Sequence, residues 1–426
     1  MSIWEHKTLG ELCTLEIGGT PTRNNPLFWD SEKTGSNYWV SIADLKSPEI
    51  TETEERITDL GIRHSNAKLF KKGTVLLSFK LTVGRVAIAG KDLYTNEAIA
   101  GLTSEQLDHH FLYYGLQHWN LLKDVDQAIK GITLNKRKLK KIDAHYPSDK
   151  KEQAKIAEVL ATIDRAIAQT EALIAKHQRI KTGLMQDLLT RGIDEHGQLR
   201  DLSTHRFKST PLGMIPEEWE VTSLGAFLDK NGGFVQTGPF GSQLHAEEYV
   251  PSGVPTIMPK DITDGQILTD VIDHITEEKA KSLSRHRVKP NDVIFARRGD
   301  LSRAAAISER EQGWLCGTGC FLLRAPKSKL DATWLAMTYR FPSIQRQVAA
   351  NAIGSTMPNL NGQVMKGLIF AFPTFEEQVA IVERLATGSR VISRNAQRVN
   401  KLLRTKQGLM QDLLSGRVSV KPLMEG

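Results

Sequence analysis

The sequence predicts an α+β fold in which two pseudo-repeated mixed α/β heads are separated by two long antiparallel helices that form an intramolecular coiled coil. Three observations carry this expectation. The stretch GLMQDLL occurs twice, at residues 183–189 and 408–414. Each occurrence ends a long run of helical hydrophobic periodicity, and each run follows a region of short β-type segments. The two runs keep a common frame at an offset of about 225 residues.

Taken in order, the first head covers residues 1–148. It opens on WEHKTLG, Trp4 to Gly10, and contains apolar runs such as YWVSI and TVLLSF between Gly, Pro, Asn and Asp. The first long helix covers 149–191 and is announced by Pro147 and a capping box, Asp149 with Glu152. A linker, 192–214, leads to the second head, 215–373. This head restarts with WEVTSLG, Trp219 to Gly225, and carries DVIFA, FLLRA and LIFAF. The second long helix covers 374–417, with Pro373, Thr374 and Glu377 repeating the start signal, and a tail of 418–426 follows. The second copy is about ten residues longer, and the additions fall within the head, where loops absorb them.

Within the first helix, Ile156, Leu160, Ile163, Ile167, Thr170, Ile174, His177, Lys181, Leu184 and Leu188 alternate steps of four and three. The same frame in the second gives Ile381, Leu385, Gly388, Ile392, Asn395, Val399, Leu402, Lys406, Leu409 and Leu413. Such alternation is the seam of a coiled coil. About 40 residues at 1.5 Å rise make a rod near 60 Å long, more than a compact domain needs. Antiparallel pairing places Thr170 opposite Asn395, a buried polar pair that would fix register.

Composition narrows the function classes. Hydrophobic residues make up 40% and charged residues 25% of the 426, so neither disorder nor a membrane span is expected. The three cysteines, Cys13, Cys316 and Cys320, are too few for a disulfide framework and fit a reducing cytoplasm. The N-terminus lacks the apolar core of a signal peptide. A net charge of +7 and a pI near 9.1 are compatible with a polyanionic partner.

No catalytic constellation stands out. Gly90-Lys91 is followed by Asp92 and lacks the earlier glycine of a phosphate-binding loop, and no GxGxxG turn or Asn-Pro-Pro-aromatic tetrapeptide occurs. Gly317, Gly319 and Cys320 in LCGTGC lie between β-type runs and read as a tight turn. Cys316 and Cys320 lack a second ligand pair, His109-His110 reads as helix surface, and Glu277-Glu278 beside Lys279 as an exposed helical turn. No metal site is expected.

Basic residues cluster in turns at matching places in both heads. The first head has Lys68, Lys71, Lys72, Lys80 and Arg85, then NKRKLKK; the second has Arg285, Arg287 and Lys289, then ARRGDLSR. Cations beside Gly, Ser, Thr and Asn are what DNA readout from loops requires.

Two WxxxxLG-started variable regions, each followed by a long helix that opens with a proline and a Glu-Gln pair (Pro147 with Glu152-Gln153, Pro373 with Glu377-Gln378) and ends in GLMQDLL-like text, resemble the specificity subunit of Type I restriction-modification systems. The resemblance covers essentially the whole chain. It implies two target-recognition domains that each read one half of a bipartite DNA target, with the coiled coil setting the spacing. It further implies a non-catalytic chain that binds no cofactor. Two modification (methyltransferase) subunits and two restriction (translocase/nuclease) subunits would be its partners, with S-adenosylmethionine, ATP and Mg on those subunits, in a bacterial or archaeal cytoplasm.

The family usually places DNA-facing loops early in each head. The matching positions are Thr20, Thr22 and Arg23 in the first and Thr237, Ser242 and Gln243 in the second. The basic turns add Lys80, Arg85, Asn135 and Lys136, and Arg297, Arg298, Arg303 and Asn359. Two other classes remain open on residues alone: an enzyme whose site is unrecognised, and a two-headed protein-binding adaptor.

Overall fold

A computed structural model describes residues 3–121, 127–128, 131–132, 134–239, 243–263, 265–352 and 359–425. The architecture is α+β, and the chain divides into two compact units. One holds Met1–Leu173 with Asn395–Gly426, the other Ile174–Arg394. Each unit therefore contains a head, the opening part of one long helix and the closing part of the other. The long helices span Lys150–Thr190 and Phe375–Leu414.

In the first unit the head closes on itself at its ends. Strand Trp4–Thr8 pairs antiparallel with Asp143–Pro147, in register from Trp4 opposite Pro147 to Thr8 opposite Asp143. The second unit repeats this with Glu220–Ser223 against Ile369–Phe372. The LG dipeptide after each opening strand starts a helix whose leucine, Leu9 or Leu224, is fully buried. The glycine has a packing reason. A Cβ on Gly10 would lie 2.9 Å from Lys140 Cβ, and one on Gly225 3.0 Å from Lys366 Cβ, so a second helix crosses where only hydrogen fits.

Among the described residues each head has, besides two-stranded pairs, two sheets of four or five strands; in the second head both have four, and the larger is the one with the longer strands. The first head's larger sheet orders its strands Thr14–Ile17, Ile99–Thr103, Val75–Ser78, Val86–Ala89, Glu49–Ile50; the second head's runs Phe234–Thr237, Cys320–Arg324, Val293–Ala296, Ala304–Ala306. The runs VLLS and VIFA are buried at every position, which is why they read as continuous apolar stretches rather than alternating ones. In the smaller sheets one parallel contact recurs: Trp39 and Val40 beside Tyr94 and Thr95, and Thr256 and Ile257 beside Leu315 and Cys316. Helices His109–His118 and Ala332–Tyr339 pack on the larger sheets through Phe111 and Leu112, and through Trp334 and Leu335.

A glutamine joins each long helix to its head. Gln153 Nε2 donates to Pro147 O at 2.8 Å, while its Oε1 accepts from Asp108 N at 2.7 Å; Gln378 makes the same pair of bonds to Pro373 O at 3.1 Å and from Asp331 N at 2.9 Å. The cap signal is only partly the expected box. Asp149 Oδ1 accepts from Lys151 N and Thr374 Oγ1 from Glu377 N, but the Glu377 carboxylate does not return to its own cap. It accepts instead from Arg200, from Trp219 Nε1 and from Ile193 N. A buried cation within the stretch read as a linker outcompetes an exposed backbone amide for that carboxylate.

The long helices run antiparallel within each unit. In the first, Leu413 and Leu414 near the end of the second helix share a core with Ile156, Ala157 and Leu160 near the start of the first, and Lys406 Nζ lies 2.7 Å from Asp164 Oδ1. In the other unit, Leu188 and Leu189 share a core with Ile381 and Leu385. Along the seam Ile156, Leu160, Ile167, Thr170, Leu188, Ile381, Leu385, Val399 and Leu413 are buried; Ile163, Ile174, Leu184, Ile392, Asn395, Leu402 and Leu409 are half-buried. Thr170 meets its polar need inside its own helix, donating to Ala166 O at 2.7 Å. No hydrogen bond joins it to Asn395 among the described residues.

Candidate nucleic-acid interface

The two heads share a hydrogen-bonded frame at the strand ends of the larger sheet, and that frame fixes which residues correspond. Gly18 N donates to Ile99 O, as Gly238 N does to Cys320 O. Phe79 N donates to Ala98 O and its carbonyl accepts from Leu134 N; Arg297 N donates to Gly319 O and its carbonyl accepts from Leu360 N. Asn96 N donates to Val40 O, as Gly317 N does to Ile257 O. Lys80 therefore corresponds to Arg298, and Glu97 to Thr318. The chain crosses itself closely here: a Cβ on Gly18 would lie 2.0 Å from Thr95 Oγ1, and one on Gly238 2.1 Å from Gly317 O.

In the first head the frame gathers Thr20, Arg23 and Lys80 around an acid. Thr20 Oγ1 donates to Glu97 Oε2, and that bond, with the charges of Lys80 and Arg23, holds the carboxyl below its usual range against partial burial. Arg23 forms a two-pronged ion pair with Glu55, its Nη2 3.0 Å from Oε2. Its guanidinium lies 3.9 Å from the Trp29 ring centre and 4.8 Å from that of Trp39. Thr22 contributes its carbonyl to Trp29 Nε1 at 3.3 Å, leaving its side chain exposed. Lys80 is half-buried against the Phe79 ring.

Arg85 and Arg303 occupy matching places. Ser78 N donates to Arg85 O and Ala296 N to Arg303 O. Their guanidinium groups brace matching short 3-10 turns: Arg85 Nη1 donates to Ile42 O at 3.2 Å, and Arg303 Nη1 to the carbonyls of Pro259, Lys260 and Ile262 at 3.1 to 3.3 Å. Asn135 caps the helix Lys136–Lys140, accepting from Lys138 N at 2.9 Å, so this helix displays Lys136 to solvent. The corresponding cap in the second head is Asn361, which accepts from Val364 N at 2.8 Å.

In the second head Thr237 ends its strand opposite Phe321, Gln243 is exposed, and Ser242 lies outside the described residues. Arg297 is half-buried, donates through Nε to Leu360 O at 3.0 Å and faces the Phe321 ring; burial and neighbouring Arg298 lower its pKa from the usual arginine value. Arg298 is exposed and bridges backbone to backbone with Asn359, whose Oδ1 is buried without a hydrogen-bond partner. Thr318 Oγ1 donates to Pro239 O at 2.9 Å.

Sequence reasoning missed Glu97, Glu55, Trp29 and Trp39. Arg23 in a Gly-Thr-Pro-rich turn signalled a loop cation, but nothing local to it names its acid, Glu55, or the rings beneath it. Among the described residues no group of His, Cys, Asp and Glu could hold a metal ion, and no helix is long and apolar enough to cross a membrane.

Residues 1–177 and 216–404 match the family described as the Type I restriction modification DNA specificity domain. The chain belongs to this family. Its two matched segments take in both heads and most of both long helices. The chain is 23% identical over 331 residues to the Type I restriction enzyme MjaVIII specificity subunit of Methanocaldococcus jannaschii, covering 74% of this chain and 72% of that one. It is 24% identical over 390 residues to the putative MjaX specificity subunit of the same organism, covering 89% and 83%. In fold it is similar to the S subunit of a Type I restriction-modification system from M. genitalium, with a TM-score of 0.55 at 15% identity over 97% of this chain and 96% of that chain. A second similar fold comes from a structure on complex assembly and conformational transition of the type I R-M system, with a TM-score of 0.61 at 17% identity over 97% and 98%. The chain is thus a Type I specificity subunit, a non-catalytic DNA-recognition component with two specificity domains.

Proposed function

We propose that each head of this specificity subunit reads one half of a bipartite double-stranded DNA target, and that the long helices set the spacing of the halves and dock two modification subunits. The supporting observation is the frame common to both heads, which repeats backbone hydrogen bonds at one set of strand ends while changing the side chains displayed there: Glu97 against Thr318, and Lys80 against Arg298. One scaffold with different displays suits two half-sites of different sequence. Arg23, Lys80, Lys136, Arg297 and Arg298 would supply phosphate and base contacts, with Thr20, Thr22, Thr237, Ser242, Gln243 and Asn359 beside them, while Arg85, Arg303 and Asn135 hold the turns.

Near-identical junctions between head and helix, at Gln153 and Gln378, suit two copies of one partner. On this reading S-adenosylmethionine, ATP and Mg belong to the modification and restriction subunits, two of each. The test is to map methylated sites in cells expressing this chain with its modification subunit, before and after replacing residues 9–142 with another head. A two-part motif that changes in one part only is expected; a continuous motif, or change in both parts, would overturn the reading.

A further inference from the structure

Glu97 is an exposed carboxylate beside Lys80 and Arg23, and, unlike Glu55, which is paired with Arg23, it has no cation bonded to it among the described hydrogen bonds and ion pairs. On a face that meets phosphates, an acid weakens binding to every sequence, so its presence calls for a reason. Anchoring the early loop is one candidate reason, because Thr20 Oγ1 donates to Glu97 Oε2. The second head argues against it. There the corresponding Thr318 ties the same loop through a hydroxyl donating to Pro239 O at 2.9 Å, so the crossing closes without a carboxylate. The backbone frame is otherwise the same in both heads, and Gly18 and Gly238 meet the facing strand end at equally short range. The difference lies in the side chain.

A carboxylate only accepts hydrogen bonds. In the major groove, cytosine N4 and adenine N6 offer donors, whereas guanine presents N7 and O6 and thymine presents O4, all acceptors. An acid at this place favours the first pair and repels the second. Thr20 fixes one carboxylate oxygen, and Lys80 and Arg23 lie near enough to act on the carboxylate's charge. Resting on the reading that the heads contact bases, we propose that Glu97 is a specificity-determining residue of the first head, accepting a hydrogen bond from the exocyclic amino group of an adenine or cytosine. The second head, with Thr318 at this point, places no such requirement on its half of the target.

The complex of this chain with its modification subunit provides the test. Duplexes carrying the mapped motif are prepared with each adenine of the first half replaced in turn by purine, and each cytosine by 2-pyrimidinone, both lacking the amine. Wild type should bind one of these duplexes about ten- to a hundredfold more weakly, and whether purine or pyrimidinone is responsible identifies the base. Glu97→Ala and Glu97→Thr should bind that duplex and the parent equally, with the methylation motif relaxed at that position alone. Glu97→Gln keeps an acceptor oxygen and the shape, and should retain part of the preference with an unchanged melting temperature. Equal discrimination in wild type and Glu97→Ala, or a loss of affinity shared by all sequences, would overturn the inference and leave the two-headed reading standing. Wild-type complex that fails to prefer its own motif over unrelated DNA would remove both.

Discussion

Arg200 and Glu377 form an ion pair, Nη1 to Oε1 at 2.5 Å and Nη2 to Oε2 at 3.2 Å, with each side chain only 9% exposed. Trp219 Nε1 and Ile193 N donate to the same carboxylate, so one acid joins the helix start, the segment after the other helix and the head's opening tryptophan. Removing one partner leaves a charge buried without its counterpart. Arg200→Ala should destabilise the unit by about 3–5 kcal/mol, read by denaturant unfolding. Replacing both, Arg200→Met with Glu377→Gln, keeps an acceptor oxygen for Trp219 Nε1 and Ile193 N and should cost less than Arg200→Ala alone; an equal or larger loss would show that the uncompensated charge is not what matters.

Gly192 follows the first long helix at φ +64, and a Cβ there would lie 2.1 Å from Glu377 Oε1 and 2.6 Å from the Trp219 ring. Gly197, at φ +73, has nothing within 4 Å. Gly192→Ala should therefore lower the melting temperature clearly more than Gly197→Ala, since left-handed backbone strain of about 1 kcal/mol is common to both and the steric clash to one. Equal shifts would mean that the junction relaxes freely.

Salt should separate the bracing Arg303 from Arg297 and Arg298, which are proposed to meet phosphate. Arg303→Ala removes donors to the carbonyls of Pro259, Lys260 and Ile262, and should cost about 1–3 kcal/mol of stability with little change in the salt dependence of DNA binding. Arg297→Glu with Arg298→Glu should reduce the slope of log affinity against log salt by roughly one for each phosphate that is no longer neutralised. A slope unchanged by this double reversal would exclude both arginines from the interface.

Cys13, Cys316 and Cys320 are buried and free, and burial raises all three thiols, Cys13 to about 12. The folded state thus keeps the proton that an unfolded thiol sheds near about pH 8.5. Their contribution to stability is full below that pH and is lost as pH rises toward the folded values. Native protein should resist alkylation at pH 8 and react at three sites once unfolded; rapid native labelling at any site would contradict the burial.

The repeated residues were legible because duplication printed them twice. Gln153 with Gln378, Gly10 with Gly225 and Leu188 with Leu413 occur at matching places, and each matching pair makes one kind of contact in the fold. Glu97 was not legible. It stands alone in TNEAIAG, and its meeting with Thr20 depends on strand pairing between stretches some 80 residues apart. The roles of Arg85 and Arg303 were hidden for a related reason. An arginine in a glycine-containing turn looks the same in sequence whether it faces solvent or a neighbouring turn's carbonyls. Asn135 could have been read as a cap, since it directly precedes a lysine-rich helical run with no other start signal.

The pairing of Trp4–Thr8 with Asp143–Pro147, and of Glu220–Ser223 with Ile369–Phe372, brings each head's entry and exit to a single doorway. Whatever is threaded between those strands need only return to the same threshold for the helices to be left undisturbed. A head can therefore be exchanged whole, as an interchangeable cassette, without renegotiating the rest of the molecule.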